Sequence, residues 1–127
     1  MNRAQDWWQE AVAEYQAAQT LHQAGHHAWC CFTAQQAAEK AVKGALDRLL
    51  RPGRGHNLVD LVTAAGGSDQ ALLDACRRLN RLYMTTRYPD AVPSGAPSQA
   101  FGATDAQQAL EDAQHVLDFA QGIIGSP

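Results

Sequence analysis

The sequence predicts an all-α fold, an antiparallel up-and-down four-helix bundle with one additional short helix, spanning residues 1–127 as a single domain. Three observations predict it. Apolar residues recur at helical spacing in four long segments. Gly25, the Gly66-Gly67 pair and Pro-Gly-rich runs separate those segments. No stretch alternates as a half-buried strand would. At 127 residues and 13.7 kDa, the chain is long enough to bury one hydrophobic core without metal or disulfide staples.

The first helix is predicted from about Arg3 to Ala24, opened by Asn2 with Gln5 as a capping box and stopped at Gly25. A second runs from His26 or His27 to about Leu50, where RPGRG breaks it. Asn57 caps a short third helix, LVDLVTAA, that ends at Gly66-Gly67. Ser68 is expected to cap a fourth carrying Leu72, Cys76, Leu79 and Tyr83 in one stripe. Thr104 with Gln107 forms a capping box for the last helix. Its face is Ala106, Leu110, Ala113, Leu117, Ala120 and Ile124. Between these two helices lies YMTTRYPDAVPSGAPSQAFG, residues 83–102, too long for an ordinary turn. Its first part, through Asp90, is expected to be fastened to the bundle and the remainder to be connector, with Phe101 as an anchor.

Composition narrows the function classes. No apolar run approaches the ~20 residues that span a bilayer, and MNRAQDWWQEAVAEY lacks the pattern of a signal peptide. A cytoplasmic protein without membrane partners is expected. Cys30, Cys31 and Cys76 are read as reduced, buried thiols, and neither they nor the scattered histidines have metal-ligand spacing, so no metal and no cofactor is expected. Trp7 and Trp8 are neighbours, so one is expected in the core and the other at a helix end or an interface. Net charge is −3, unevenly spread: residues 40 to 88 hold nine of the ten Lys and Arg against four acids, a net +5, leaving −8 on the flanks. Either basic middle helices pair with acidic outer ones, or a basic surface awaits an anion.

The second helix carries an anomaly. At 100° per residue its apolar face is Ala28, Cys31, Ala38, Val42, Leu46 and Leu49. Gln35 falls within that face, with Glu39 beside it and Lys43 at the edge. Unpaired burial of an amide or a carboxylate costs on the order of a few kcal/mol, so both must meet partners. Arg87 and Arg81, at the end of the fourth helix, are the expected counter-charges, since guanidinium pairs bidentately with carboxylate. The polar cluster expected is Gln35, Glu39, Arg87 and Asp90.

CCFTAQQAAEKAVKGAL, then GHNLVDLV, then LYMTTRYPD, at these spacings, resemble the HEPN domain family (higher eukaryotes and prokaryotes nucleotide-binding) over residues 6 to 121. That resemblance implies a helical bundle, commonly a homodimer. It also implies, for many members, partnership with a small nucleotidyltransferase in two-component, often toxin–antitoxin, systems. Several branches are metal-independent ribonucleases built on an arginine followed, four to six residues later, by a histidine. Arg51 and His56 satisfy that spacing, but Pro52, Gly53 and Gly55 place them in a turn. The role expected of His56 is therefore to cap the short helix and pack against the RYPD segment, so the expectation leans away from an enzyme. A nucleotide or RNA phosphate would be held by Lys40, Lys43 and Arg87, with Tyr83 or Tyr88 available to stack on a base. A purely structural dimeric bundle is the remaining reading.

Overall fold

A computed structural model describes residues 2–86, 90, 92 and 94–125, with the side chains of 84 and 85 excepted. Six helices follow in order: α1 (Ala4–Gln23), α2 (His27–Arg48), α3 (Leu58–Ala64), α4 (Gln70–Thr85), α5 (Pro97–Ala100) and α6 (Ala103–Ile124). Among the described residues there is no strand. The four long helices are those the periodicity predicts. The short α5 is additional: Pro97 opens it, with its fixed φ suited to a first helical position. Its Pro97 ring is buried, and Phe101 packs against the core as an anchor.

Antiparallel order is visible in the ties between helices. Lys40 of α2 pairs with Glu14 and reaches Glu10 of α1. Tyr15 of α1 donates its hydroxyl hydrogen to the Leu110 carbonyl of α6 at 3.2 Å. Arg78 of α4 grips Asp112 of α6 through Nε and Nη2, both at 2.9 Å. Asp112 is only 4% exposed, and the Gln108 amide also donates to it. Both carboxylate oxygens are therefore satisfied where α4 crosses α6.

α2 is the central element, with thirteen of its twenty-two residues buried. Its predicted apolar face lies in the core, Leu49 partly so. Ala4, Ala11, Ala41, Ala45 and Ala120 form a small-residue seam that lets α1, α2 and α6 approach closely. Gly44 marks the tightest point. A Cβ there would fall 2.9 Å from the Trp7 Cβ and 3.2 Å from both the Ala4 carbonyl and Ile124 Cδ1. Trp7 and Trp8 are both half-buried, so neither is the fully buried tryptophan expected.

Two caps differ from expectation. Asp69 rather than Ser68 caps α4, its carboxylate accepting the Leu72 N–H at 3.0 Å, because α4 begins at Gln70 and only the adjacent residue reaches the third amide. α6 starts at Ala103, so Asp105 rather than Gln107 returns to the cap, accepting the Gly102 N–H at 2.9 Å. Asn2 does serve α1, its side-chain oxygen accepting the Ala4 N–H at 2.8 Å.

Candidate functional site

Three helices end in the same paired arrangement of backbone bonds. In α1, His26 N–H reaches Leu21 O and Gly25 N–H reaches His22 O; in α3, Gly67 reaches Val62 and Gly66 reaches Thr63. In α2, Arg51 N–H reaches Leu46 O at 2.9 Å and Leu50 N–H reaches Asp47 O at 3.1 Å. This is the Schellman motif, whose pivot residue takes a left-handed conformation and is usually glycine. α1 and α3 use Gly25 and Gly66 there, but α2 uses Leu50 at φ 57°, 82% exposed. A left-handed non-glycine residue costs roughly 1–2 kcal/mol, part of which is offset by the greater unfolded-state freedom of glycine. Leu50→Gly is therefore expected to raise stability by about 0.5–1 kcal/mol in urea denaturation; a loss of stability would show that the Leu50 side chain contributes contacts of its own.

The turn that follows delivers His56 to α2. Asn57 caps α3, accepting from Val59 N and Asp60 N. Asn80 of α4 locks that start in place: its Oδ1 accepts the Leu58 N–H at 2.8 Å and its Nδ2 donates to Asn57 Oδ1 at 2.9 Å. One residue upstream, His56 Nδ1 lies 3.0 Å from Glu39 Oε2 and 3.2 Å from Oε1. A carboxylate only accepts, so Nδ1 carries the proton and Nε2 occupies the outer side of the ring. The ring stacks on Tyr83 of α4, with centroids 4.4 Å apart and planes 23° from parallel. The His56 side chain remains 52% exposed. Its expected role as a cap is corrected: Asn57 caps α3, leaving the imidazole to serve Glu39.

Glu39 does turn inward, 3% exposed. Gln35 donates its amide to Glu39 Oε1 at 2.7 Å, and Gln36 donates in turn to Gln35 Oε1 at 2.6 Å. Lys43 Nζ stands 3.9 Å from Glu39 Oε2. The carboxylate expected to need a partner has one in His56, from the α2–α3 turn. Arg87 and Tyr88 lie outside the described residues. Asp90 is exposed, as is Arg81. Lys40, one residue from Glu39 but 100° around the helix, faces α1 and its acids instead. Arg51 is exposed and donates from Nη1 to the Ala64 carbonyl at 2.9 Å, bracing the turn against the end of α3.

The charge asymmetry is partly resolved by pairing within the bundle. Lys40, Arg77 and Arg78 are each paired with a carboxylate. Arg48, Arg51 and Arg54 form no ion pair among the described residues, and all are exposed where α2 ends. These exposed arginines follow one another where α2 ends and the turn toward α3 begins.

Thiol chemistry adds nothing to this site. Burial pushes Cys30 up to about 11, Cys31 to about 12 and Cys76 to about 11, so all three are protonated at neutral pH and poor nucleophiles. Among the described residues no group of three or more His, Cys, Asp or Glu is arranged to hold a metal ion. No helix of the described residues is long and apolar enough to cross a membrane.

The sequence profile of the HEPN domain matches residues 4–123. This chain belongs to the HEPN domain family. Solved structures agree with that assignment. TT1696 from Thermus thermophilus is 37% identical, with a TM-score of 0.91 over 96% of this chain and 98% of its own. ST0689, an archaeal HEPN homologue, is 32% identical, with a TM-score of 0.86 over 98% of this chain and 100% of its own. An HEPN domain protein from Thermotoga maritima, tm0613, shares the fold at 24% identity, with a TM-score of 0.74 over 94% of this chain and 97% of its own. No curated protein is significantly similar to the chain.

For this HEPN protein the arrangement supplies three chemical capacities in one place. A buried carboxylate fixes one imidazole tautomer, an aromatic pair presents π-surface, and Lys43 and Arg51 add positive charge at the edge. The Arg78–Asp112 tie, by contrast, has no counterpart among the sequence expectations. Its signal lies in Ala109 and Val116, which widen the apolar arc of α6 until Asp112 falls at its edge.

Proposed function

We propose that this HEPN protein is a homodimeric binding module for a phosphate-bearing nucleotide ligand, working beside a small nucleotidyltransferase in a two-component system. The observation that carries the ligand reading is the half-exposed His56, held by Glu39, stacked on Tyr83 and bordered by Lys43. Cation beside aromatic surface is how proteins hold nucleotides without a phosphate-binding loop. The nucleotidyltransferase partner rests on the company that resembling HEPN proteins keep. A neighbouring reading frame bearing a Gly-Ser and paired-aspartate motif is the observation that tests it.

Calorimetric titration with ATP and GTP tests the ligand reading. The wild type should give saturable heat, and Lys43→Ala and His56→Ala should each weaken binding about tenfold, the loss of one charge-assisted contact. An absence of saturable heat in the wild type overturns it.

One observation favours a second reading, a metal-independent endoribonuclease using Arg51 and His56. A histidine whose Nδ1–H is held by a carboxylate has Nε2 free for proton transfer. Nε2 would take the proton of a ribose 2′-hydroxyl as that oxygen attacks phosphorus to give a 2′,3′-cyclic phosphate; the P–O5′ bond breaks, the leaving 5′-oxygen takes a proton from solvent water, and Arg51 offsets the phosphate charge. RNA cleavage and growth toxicity, both abolished by His56→Ala, would establish this reading. Cleavage that survives the substitution removes His56 from the mechanism. A protein with neither nucleotide heat nor cleavage is the purely structural bundle.

A further inference from the structure

A cavity of about 570 Å³ lies between α1 and α6, and neither Glu39, Lys43, His56 nor Tyr83 lines it. Its volume falls in the range of small-molecule sites, about 300–1,000 Å³. At one end of the helix pair Ala4, Ala11 and Ala120 belong to the small-residue seam. Toward the other end the facing positions carry long amides, Gln19 and Gln23 on α1 and Gln107 and Gln114 on α6. Tyr15 and Leu110 supply apolar surface between them, tied by the 3.2 Å bond from hydroxyl to carbonyl.

The electrostatics of this cleft are one-sided. Neither α1 nor α6 contains a lysine or arginine, and none lines the cavity, whereas Glu111 and Asp118 do. Burial raises the Tyr15 hydroxyl, and the charges of Asp118 and Glu111 add to the rise, so their negative field reaches the wall of the cleft. Glu111 and Asp118 are two turns apart on one face of α6, about 10.5 Å along its axis. Gln107 donates to Glu111 Oε1 at 3.3 Å and Gln114 to Asp118 Oδ1 at 2.8 Å. Among the described residues the second oxygen of each carboxylate has no hydrogen-bond partner. On the α1 side His22 lines the cavity, and its Nδ1 is buried and unpartnered.

We propose that this cavity binds a linear polyamine, a methylene chain with an ammonium group at each end. Each terminal ammonium donates to the open oxygen of one carboxylate, and the methylenes cover Leu110 and the Tyr15 ring. One open oxygen per carboxylate suits a point charge; a guanidinium fork wants two. A metal dication fits poorly, because hard cations draw their oxygens to about 2.0–2.6 Å and carboxylates two turns apart cannot converge on one ion. Among the described residues no group of three His, Cys, Asp or Glu is placed to hold one. An inner amine of the ligand would answer His22 Nδ1, which the fold leaves unanswered. This cleft shares no lining residue with the His56 edge, so the two readings stand or fall separately.

Calorimetric titration of the protein with spermidine at about 0.15 M salt should give saturable heat. Two dications of equal charge then test span. Diaminooctane reaches both carboxylates, and putrescine, with half the carbons, should bind at least about tenfold more weakly for want of one charge-assisted contact. Glu111→Gln and Asp118→Asn preserve shape, and each should weaken spermidine about tenfold. Glu10→Gln, at an exposed acid of α1 outside the cavity, should leave the titration unchanged. The side-chain amide resonances of Gln19 and Gln114 should shift on binding. Absence of saturable spermidine heat overturns the proposal. Binding that survives both α6 substitutions overturns it too, as does equal affinity for putrescine and diaminooctane, since diffuse attraction to an acidic surface follows charge and not span. Magnesium that displaces spermidine as well as diaminooctane does would also overturn it.

Discussion

Stability should fall steeply once the pH rises above about 9. All three cysteines are buried, and burial holds their thiols protonated to about 11, 12 and 11 against an ordinary value of 9.0. Below pH 9 the thiols are neutral in both states, and this contribution is fully present. Between pH 9 and 11 the unfolded chain releases protons that the folded chain keeps. The unfolded state then binds fewer protons, and stability declines as pH increases. One pH unit is worth about 1.4 kcal/mol per thiol, so the three together approach about 4 kcal/mol per unit at the upper limit. Burial likewise raises Tyr15, which adds in the same direction. Total stabilities of small domains are about 5–15 kcal/mol, so this loss is enough to unfold the protein. Urea denaturation at stepped alkaline pH measures it. Cys76→Ala should remove about a third of the slope, since one of three thiols is gone. A variant lacking all three thiols that loses stability just as fast would show that other groups drive the transition.

The second large effect is expected at Glu39. Replacing it with alanine should destabilise the fold by about 3 kcal/mol, toward the lower end for breaking a buried ionic cluster. Gln35 is fully buried and would lose the acceptor of its 2.7 Å hydrogen bond. His56 and Lys43 are more open and would recover water, which limits the cost. The His56–Tyr83 stack should loosen as well, so the imidazole resonances should shift along with the unfolding midpoint. A change below about 0.5 kcal/mol would place Glu39 in solvent instead. Glu39→Gln separates shape from charge: it preserves the volume, so a loss of ligand binding in a variant that stays folded reports on the His56 tautomer.

The site around His56 depends on one local feature, the way α2 ends. Leu50 in the left-handed region turns the chain so that Arg51 braces against α3 and the glycines carry it back to Glu39. Pro52, Gly53 and Gly55 argue in the sequence for slack. The backbone there is instead fastened at both ends, by the Leu46 carbonyl before it and by the Asn57–Asn80 pair after it. A turn anchored in this way can hold a histidine as firmly as a helix does, which is why the turn location of Arg51 and His56 does not by itself separate binding from catalysis.

Much of this protein is legible from its residues alone. Helical periodicity locates all four long helices, because an amphipathic face must recur every 3.6 residues to be buried. The inward turn of Gln35 and Glu39 is legible for the same reason, since their angular position on α2 is fixed by sequence number. That His56 answers that carboxylate is not legible. His56 is seventeen residues away across a turn, and it reaches Glu39 only because Asn80 of α4 pins the start of α3. Lys40 and Lys43 likewise look interchangeable in sequence, yet α1 draws one to its acids while the other stands beside Glu39. Periodicity specifies which way a side chain leaves its own helix. Which partner waits there is set by how separate helices dock, and that packing is decided only when the whole chain folds.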